Sequence, residues 1–128
     1  MRNNDFLSLS ENNVTGSANP RIPGYLDVMW HIIHHHFSEQ HTLQSFADLF
    51  GISHYRLCRE YRNAFGISPM LDLNNTRIEH AKKMLLETPL NIREICNSTG
   101  FYDINNFIRI FKKNTGSTPG HFRKNKGV

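Results

Sequence analysis

Residues 51–69 read GISHYRLCREYRNAFGISP and residues 100–119 read GFYDINNFIRIFKKNTGSTP. The two stretches are copies of one pattern. Leu57 matches Phe107, Tyr61 matches Phe111, Arg62 matches Lys112, Gly66 matches Gly116 and Pro69 matches Pro119, all at an offset of 50. Upstream, Leu43 matches Ile92, Ala47 matches Cys96 and Gly51 matches Gly100 at an offset of 49, so the second copy carries one inserted residue at its turn. Each copy predicts a helix, a short glycine-containing turn and a second helix. A small side chain four residues before the turn glycine lets the two helices cross closely, which is the pattern of a helix-turn-helix.

Working outward, the pattern stays helical. Leu26, Met29, Trp30, Ile33 and Phe37 recur at three-to-four spacing and predict a first helix with one buried stripe. Thr42 caps a second helix with Leu43, Phe46, Ala47 and Phe50 inward. Ser53 caps a third with Leu57, Tyr61 and Phe65 inward. Ser68-Pro69 opens a long fourth helix to about Thr88, with Leu71, Ile78, Ala81 and Leu85 on its stripe. Asn91 with Glu94 forms a capping box for a fifth helix with Ile92, Ile95 and Cys96 inward. Asp103 caps a sixth with Phe107, Ile110 and Phe111 inward, and Thr118-Pro119 opens a short seventh to about Arg123. No stretch alternates with period two. The expected fold is all-α: two helix-turn-helix subdomains joined by a long central helix, about seven helices in all. The first unit covers about 25–68, the linking helix about 69–88 and the second unit about 89–124, together a domain over 25–124. Residues 1–24, rich in Asn, Ser, Gly and Pro, are expected to form a tail or linker, and 125–128 a short tail.

Charge is unevenly placed. Residues 1–52 hold two basic and five acidic side chains, and residues 53–128 hold thirteen and six, a balance of −3 against +7 within the total of +4. A basic half suits an anionic partner such as nucleic acid, and it equally suits an ordinary solvated surface. The chain has 128 residues, two cysteines and no apolar run of membrane-spanning length. A disulfide scaffold and a four-cysteine zinc site are excluded, and a reducing cytoplasm is the expected setting. No paired carboxylates, Gly-rich phosphate loop or Ser-His-Asp set is present, so no enzyme activity and no cofactor are expected.

In each unit the second helix turns a distinctive face outward. Opposite Leu57 and Tyr61 lie His54, Tyr55, Cys58, Arg59 and Arg62. Opposite Phe107 and Phe111 lie Ile104, Asn105, Asn106, Ile108, Arg109, Lys112 and Lys113. Arg pairs with guanine edges, Asn with adenine, and an apolar side chain with a thymine methyl. Ile104 and Ile108 fit either thymine methyls or a wide core face. A linking helix of about 30 Å is close to the ~34 Å between successive major-groove segments on one side of the duplex.

Tyr25 to Arg123 resembles the DNA-binding domain of the AraC/XylS family of bacterial transcription regulators. The carrying residues are Thr42-Leu43 and Phe46-Ala47 before Gly51-Ile52-Ser53; Leu57, Arg59 and Tyr61; Arg77-Ile78, Ala81 and Leu85-Leu86; Ile92 and Ile95; and the run from Gly100 through Pro119 to Phe122-Arg123. The resemblance implies sequence-specific binding of double-stranded promoter DNA and transcription regulation, with two recognition helices in consecutive major-groove segments. It carries base contact to Tyr55, Cys58, Arg59, Ile104, Asn105, Ile108 and Arg109, with Arg59 and Arg109 the principal readers. Backbone contact falls to Arg62, Lys112 and Lys113 and to the helix starts at Thr42 and Asn91. Cys58 departs from the polar residue common at its position, and Cys96 replaces the usual alanine. No effector domain fits in residues 1–24, so the chain is expected to be a short stand-alone member or a fragment, the linker-like tail favouring the fragment.

Other readings attach to the same residues. The basic half suits docking to an acidic protein partner such as RNA polymerase. His31, His34, His35, His36 and His41 cluster, with His31 and His35 at a metal-clasping i, i+4 spacing; no cysteine or acidic triad joins them in sequence, and no metal site is expected. Cys58 beside Arg59 fits either a redox-sensitive thiol or a small neutral contact. Neither a membrane nor a second subunit is called for, and the segment is expected to be monomeric.

Overall fold

The computed structural model describes residues 23–127. Among them are seven helices and no strand: α1 Gly24–His35, α2 Leu43–Phe50, α3 His54–Phe65, α4 Pro69–Glu87, α5 Ile92–Ser98, α6 Ile104–Thr115 and α7 Pro119–Lys124. No described helix is long and apolar enough to cross a membrane. The tail expected over 1–24 lies outside the described residues except for Pro23 and Gly24, and Gly24 already opens α1. Of the tail expected over 125–128, residues 125–127 form a turn in which the Gly127 N–H donates to the Phe122 carbonyl (2.9 Å).

The described residues divide into two compact units, the first holding 23–36 together with His41–Asp72, the second Phe37–Gln40 together with 73–127.

In the first unit α1 and α2 both pack on α3. Leu26, Met29, Ile33, Phe46, Leu57 and Tyr61 are almost wholly withdrawn from solvent. The stripe of α1 differs from its expected form. Val28 and Ile32 are buried, Trp30 stays 38% exposed against His34, and the helix ends before Phe37. In α4, Asp72 rather than Leu71 turns inward. Its carboxylate accepts from the Tyr61 hydroxyl (2.6 Å) and from His34 Nε2 (3.1 Å), while Leu71 is half exposed. A buried tyrosine hydroxyl needs a partner, and that need outweighs burial of one more leucine. Burial and this bond push the Tyr61 hydroxyl far above its usual range.

In the second unit α6 packs on α5 and on α7. Its core is an aromatic chain. Phe101 meets Phe107 (5.1 Å between centroids), Phe107 meets Phe111 (5.8 Å) and Phe111 meets Phe122 edge-on (5.3 Å), with Ile78, Ala81, Leu85, Ile95 and Cys96 around them. The repeat is informative here. Tyr61 and Asp72 of the first unit correspond, at the offset of 50, to Phe111 and Phe122 of the second. One position pair is closed by a hydrogen bond in one unit and by ring contact in the other.

The two turns share a bond and differ in one residue. The Ile52 N–H donates to the Ala47 carbonyl (3.2 Å), and the Phe101 N–H donates to the Cys96 carbonyl (3.1 Å), the equivalent atom. The inserted residue is Tyr102. It takes φ +59°, a left-handed conformation uncommon outside glycine, and its hydroxyl donates to the Ser38 carbonyl (3.0 Å). Ser38 lies in the 37–40 segment, which the buried Arg77 guanidinium grips by donating to the Phe37 carbonyl (2.7 Å) and the Glu39 carbonyl (2.9 Å). Arg77 therefore serves the fold. Arg123 likewise donates to the Leu85 and Thr88 carbonyls (3.0 and 3.1 Å), satisfying the end of α4.

The turn glycines are not equivalent. Gly51, at φ +68°, has open space where a Cβ would stand. Gly100, at φ +95°, has the Phe37 carbonyl oxygen 2.7 Å and the Ser38 Cα 2.8 Å from that point. Gly51→Ala is expected to cost about 1–2 kcal/mol, from the left-handed backbone alone. Gly100→Ala is expected to cost about 4 kcal/mol or more, because backbone must also move. Urea unfolding of both variants measures the difference; equal costs would contradict this account of the second turn.

Candidate nucleic-acid interface

Each outward face follows from what the helix buries. In α3, Leu57 and Tyr61 are fully buried, and 3.6-residue periodicity then turns Tyr55, Arg59 and Arg62 to solvent. Ser53 starts the helix by accepting from the Arg56 N–H (3.1 Å), and Gly66 ends it. Tyr55 is 74% exposed, and the Arg59 guanidinium lies over its ring at 5.1 Å from the centroid. Arg62 is exposed, while Cys58 is half-buried at the edge of the face. Arg56 is also exposed but engaged. Its Nε donates to Glu60 (2.9 Å), which also accepts from the Tyr25 hydroxyl (2.6 Å). The bonds from Tyr25 and from Arg56 hold the Glu60 carboxyl below its usual range. Glu60 thus offsets one positive charge on this helix and leaves Arg59 and Arg62.

In α6 the buried pair is Phe107 and Phe111, and the exposed face carries Asn105, Arg109, Lys112 and Lys113. The helix itself contains no acidic residue. Asp103 caps it by accepting from the Asn106 N–H (3.1 Å). Half-buried Asn106 accepts from Arg109 Nη2 through its side-chain oxygen (2.6 Å). Ile104 and Ile108 are half-buried and pack against the Phe107–Phe111 core, so the core reading explains much of their surface and only their outer portions face solvent.

The helix starts at Thr42 and Asn91 are both capping boxes. The Thr42 hydroxyl accepts from the Ser45 N–H and the Ser45 hydroxyl from the Thr42 N–H (both 2.9 Å). Asn91 and Glu94 exchange the corresponding bonds (both 2.8 Å). The first box was not legible as such, because serine replaces the usual Glu or Gln three residues on.

The histidines divide. His34 joins Asp72, His41 donates from Nε2 to the His36 carbonyl (2.7 Å), and His31 stacks on His35 (4.5 Å). Burial and the neighbouring His35 and His36 lower the pKa of His31. Among the described residues no three His, Cys, Asp or Glu side chains are grouped as a metal site. Cys96 is buried, and burial raises its thiol pKa, in keeping with a packing role.

Sequence and structure comparisons place this geometry in a family. A helix-turn-helix domain family matches residues 46–125. The uncharacterized HTH-type transcriptional regulator YtdP of Bacillus subtilis is 31% identical over 123 residues, which are 96% of this chain and 16% of that protein. The chain spans about half or less of the length of other curated relatives it matches. The C-terminal domain of AraT, a response regulator from Geobacillus stearothermophilus, superposes with a TM-score of 0.77 at 31% identity, covering 84% of this chain and 90% of that one. The DNA-binding domain of AdpA, a global transcriptional factor solved in complex with a target DNA, shares the fold at a TM-score of 0.72 and 22% identity, covering 77% of this chain and 89% of that one. With its two helix-turn-helix units and the long helix α4, the chain belongs to the helix-turn-helix domain family of AraC/XylS-type transcription regulators.

Proposed function

We propose that α3 and α6 are the reading helices of a sequence-specific, double-stranded-DNA-binding regulator and that they enter consecutive major-groove segments of one duplex. The observation that carries this reading is the pair of exposed faces, each centred on an arginine at the same place in the repeat, Arg59 and Arg109. Base contact is assigned to Tyr55, Cys58, Arg59, Asn105 and Arg109, with the outer portions of Ile104 and Ile108 available to thymine methyls. Arg62, Lys112 and Lys113 grip phosphates, which positions the helices without selecting sequence. Of the two helix starts, Thr42 suits a phosphate better than Asn91, because its capping partner Ser45 is neutral whereas Glu94 is acidic. The reading assigns no reaction to this chain and treats the segment as a monomer. An acidic surface of RNA polymerase is a second partner chemistry for the same basic faces, and loss of all selectivity among duplexes would favour it.

Two variants test the division of labour on a selected duplex and on random duplex. Arg109→Ala is expected to lose about 1–3 kcal/mol on the selected site and to relax preference at one base pair. Lys112→Ala is expected to weaken both duplexes alike and to reduce the salt slope by about one. Equal loss on both duplexes for Arg109→Ala would refute its role as a reader. Glu60→Gln removes the negative charge that offsets Arg56 and is expected to raise affinity for random duplex and steepen the salt dependence; an unchanged salt slope would show that this side of α3 faces away from DNA.

A further inference from the structure

Asn106 stands half-buried in the first turn of α6, where its N–H donates to the Asp103 cap (3.1 Å) and its side chain is left for another partner. Its side-chain oxygen accepts from Arg109 Nη2 at 2.6 Å, one helical turn away. We propose that Asn106 is a positioning residue that sets the specificity of Arg109, by holding its guanidinium in one place on the outer face of α6 before DNA arrives. This rests on the reading of Arg109 as a base reader given above.

The chemistry of the partner supports the role. A guanidinium carries five N–H donors in a rigid plane, and a guanine edge takes two of them. One bond to a neutral amide leaves the remainder available and leaves the charge intact. A carboxylate at the same place would offset the charge and repel phosphate. On α3 a carboxylate does offset an arginine, Glu60 with Arg56, but Arg56 stands at the repeat position of Asn106 and Glu60 at that of Ile110. Arg59, the equivalent of Arg109, is instead held by ring contact with Tyr55, which fixes no donor direction. Arg109 is therefore the directed reader and Arg59 the looser one. Holding a long side chain in place before binding removes part of its ordering cost, which corresponds to about two- to tenfold in affinity.

The test measures binding of the chain to its selected duplex, to that duplex with each base pair replaced in turn, and to random duplex. Arg109→Ala first identifies the base pair that Arg109 reads. Asn106→Ala is expected to reduce preference at that same pair by about two- to tenfold, with binding to random duplex unchanged. Asn106→Asp keeps the acceptor oxygen, so it is expected to retain the preference while lowering affinity for every duplex. Circular dichroism melts accompany each variant, and Asn106→Ala is expected to melt no lower than the parent chain. Unchanged preference in Asn106→Ala beside a selective Arg109→Ala overturns this inference alone. So does a loss confined to a different base pair, which would mean that Asn106 reads a base itself. A flat Arg109→Ala profile overturns the reading of Arg109 and this inference with it.

Discussion

Leu57 and Tyr61 in α3, and Phe107 and Phe111 in α6, are withdrawn completely from solvent, and burying them fixes the rotation of each helix about its own axis. Each large apolar side chain gains about 1.5–3 kcal/mol from burial, so a rotated helix that exposed two of them would cost several kcal/mol. Everything the chain offers to a partner follows from that constraint. With these two side chains of each helix inward, a helix of 3.6 residues per turn has no choice but to turn Arg59 and Arg62, or Arg109 and Lys112, outward.

The two units meet this constraint by different chemistry. The first places a tyrosine where the second has a phenylalanine, and its hydroxyl is satisfied by Asp72, itself bonded to His34. The second builds an unbroken series of rings from Phe101 to Phe122. Charged residues secure the rest of the second unit. Arg77 holds the 37–40 segment and Arg123 holds the end of α4, each by donating to two backbone carbonyls. Three of the basic residues that give residues 53–128 their positive balance, Arg56, Arg77 and Arg123, are engaged within the protein.

The helices were legible in the sequence because their ends are marked by chemistry that acts locally: caps at Thr42, Ser53, Asn91, Asp103 and Thr118, prolines at Pro69 and Pro119, and glycines in the turns. The outward arginines were legible for the same reason, since periodicity is local too. What escaped was long-range. Periodicity could not tell Leu71 from Asp72, because the choice depends on a hydroxyl eleven residues away. It could not assign residues 37–40 to the second unit, because Arg77 grips them from about forty positions further on. Ile104 and Ile108 read equally as core or contact until the neighbouring rings were in place. The Asn106–Arg109 bond is local, yet the sequence gives only its spacing, and spacing alone does not distinguish a pair from two separate readers.

Selection of bound sequences from a random duplex pool tests the central claim most directly. Two oriented helices, each with an arginine at its centre, predict two short enriched boxes about one helical turn, ~10–10.5 bp, apart on the same duplex. A pool that emerges without enrichment, or with a single box, would contradict the assignment of both faces to base reading.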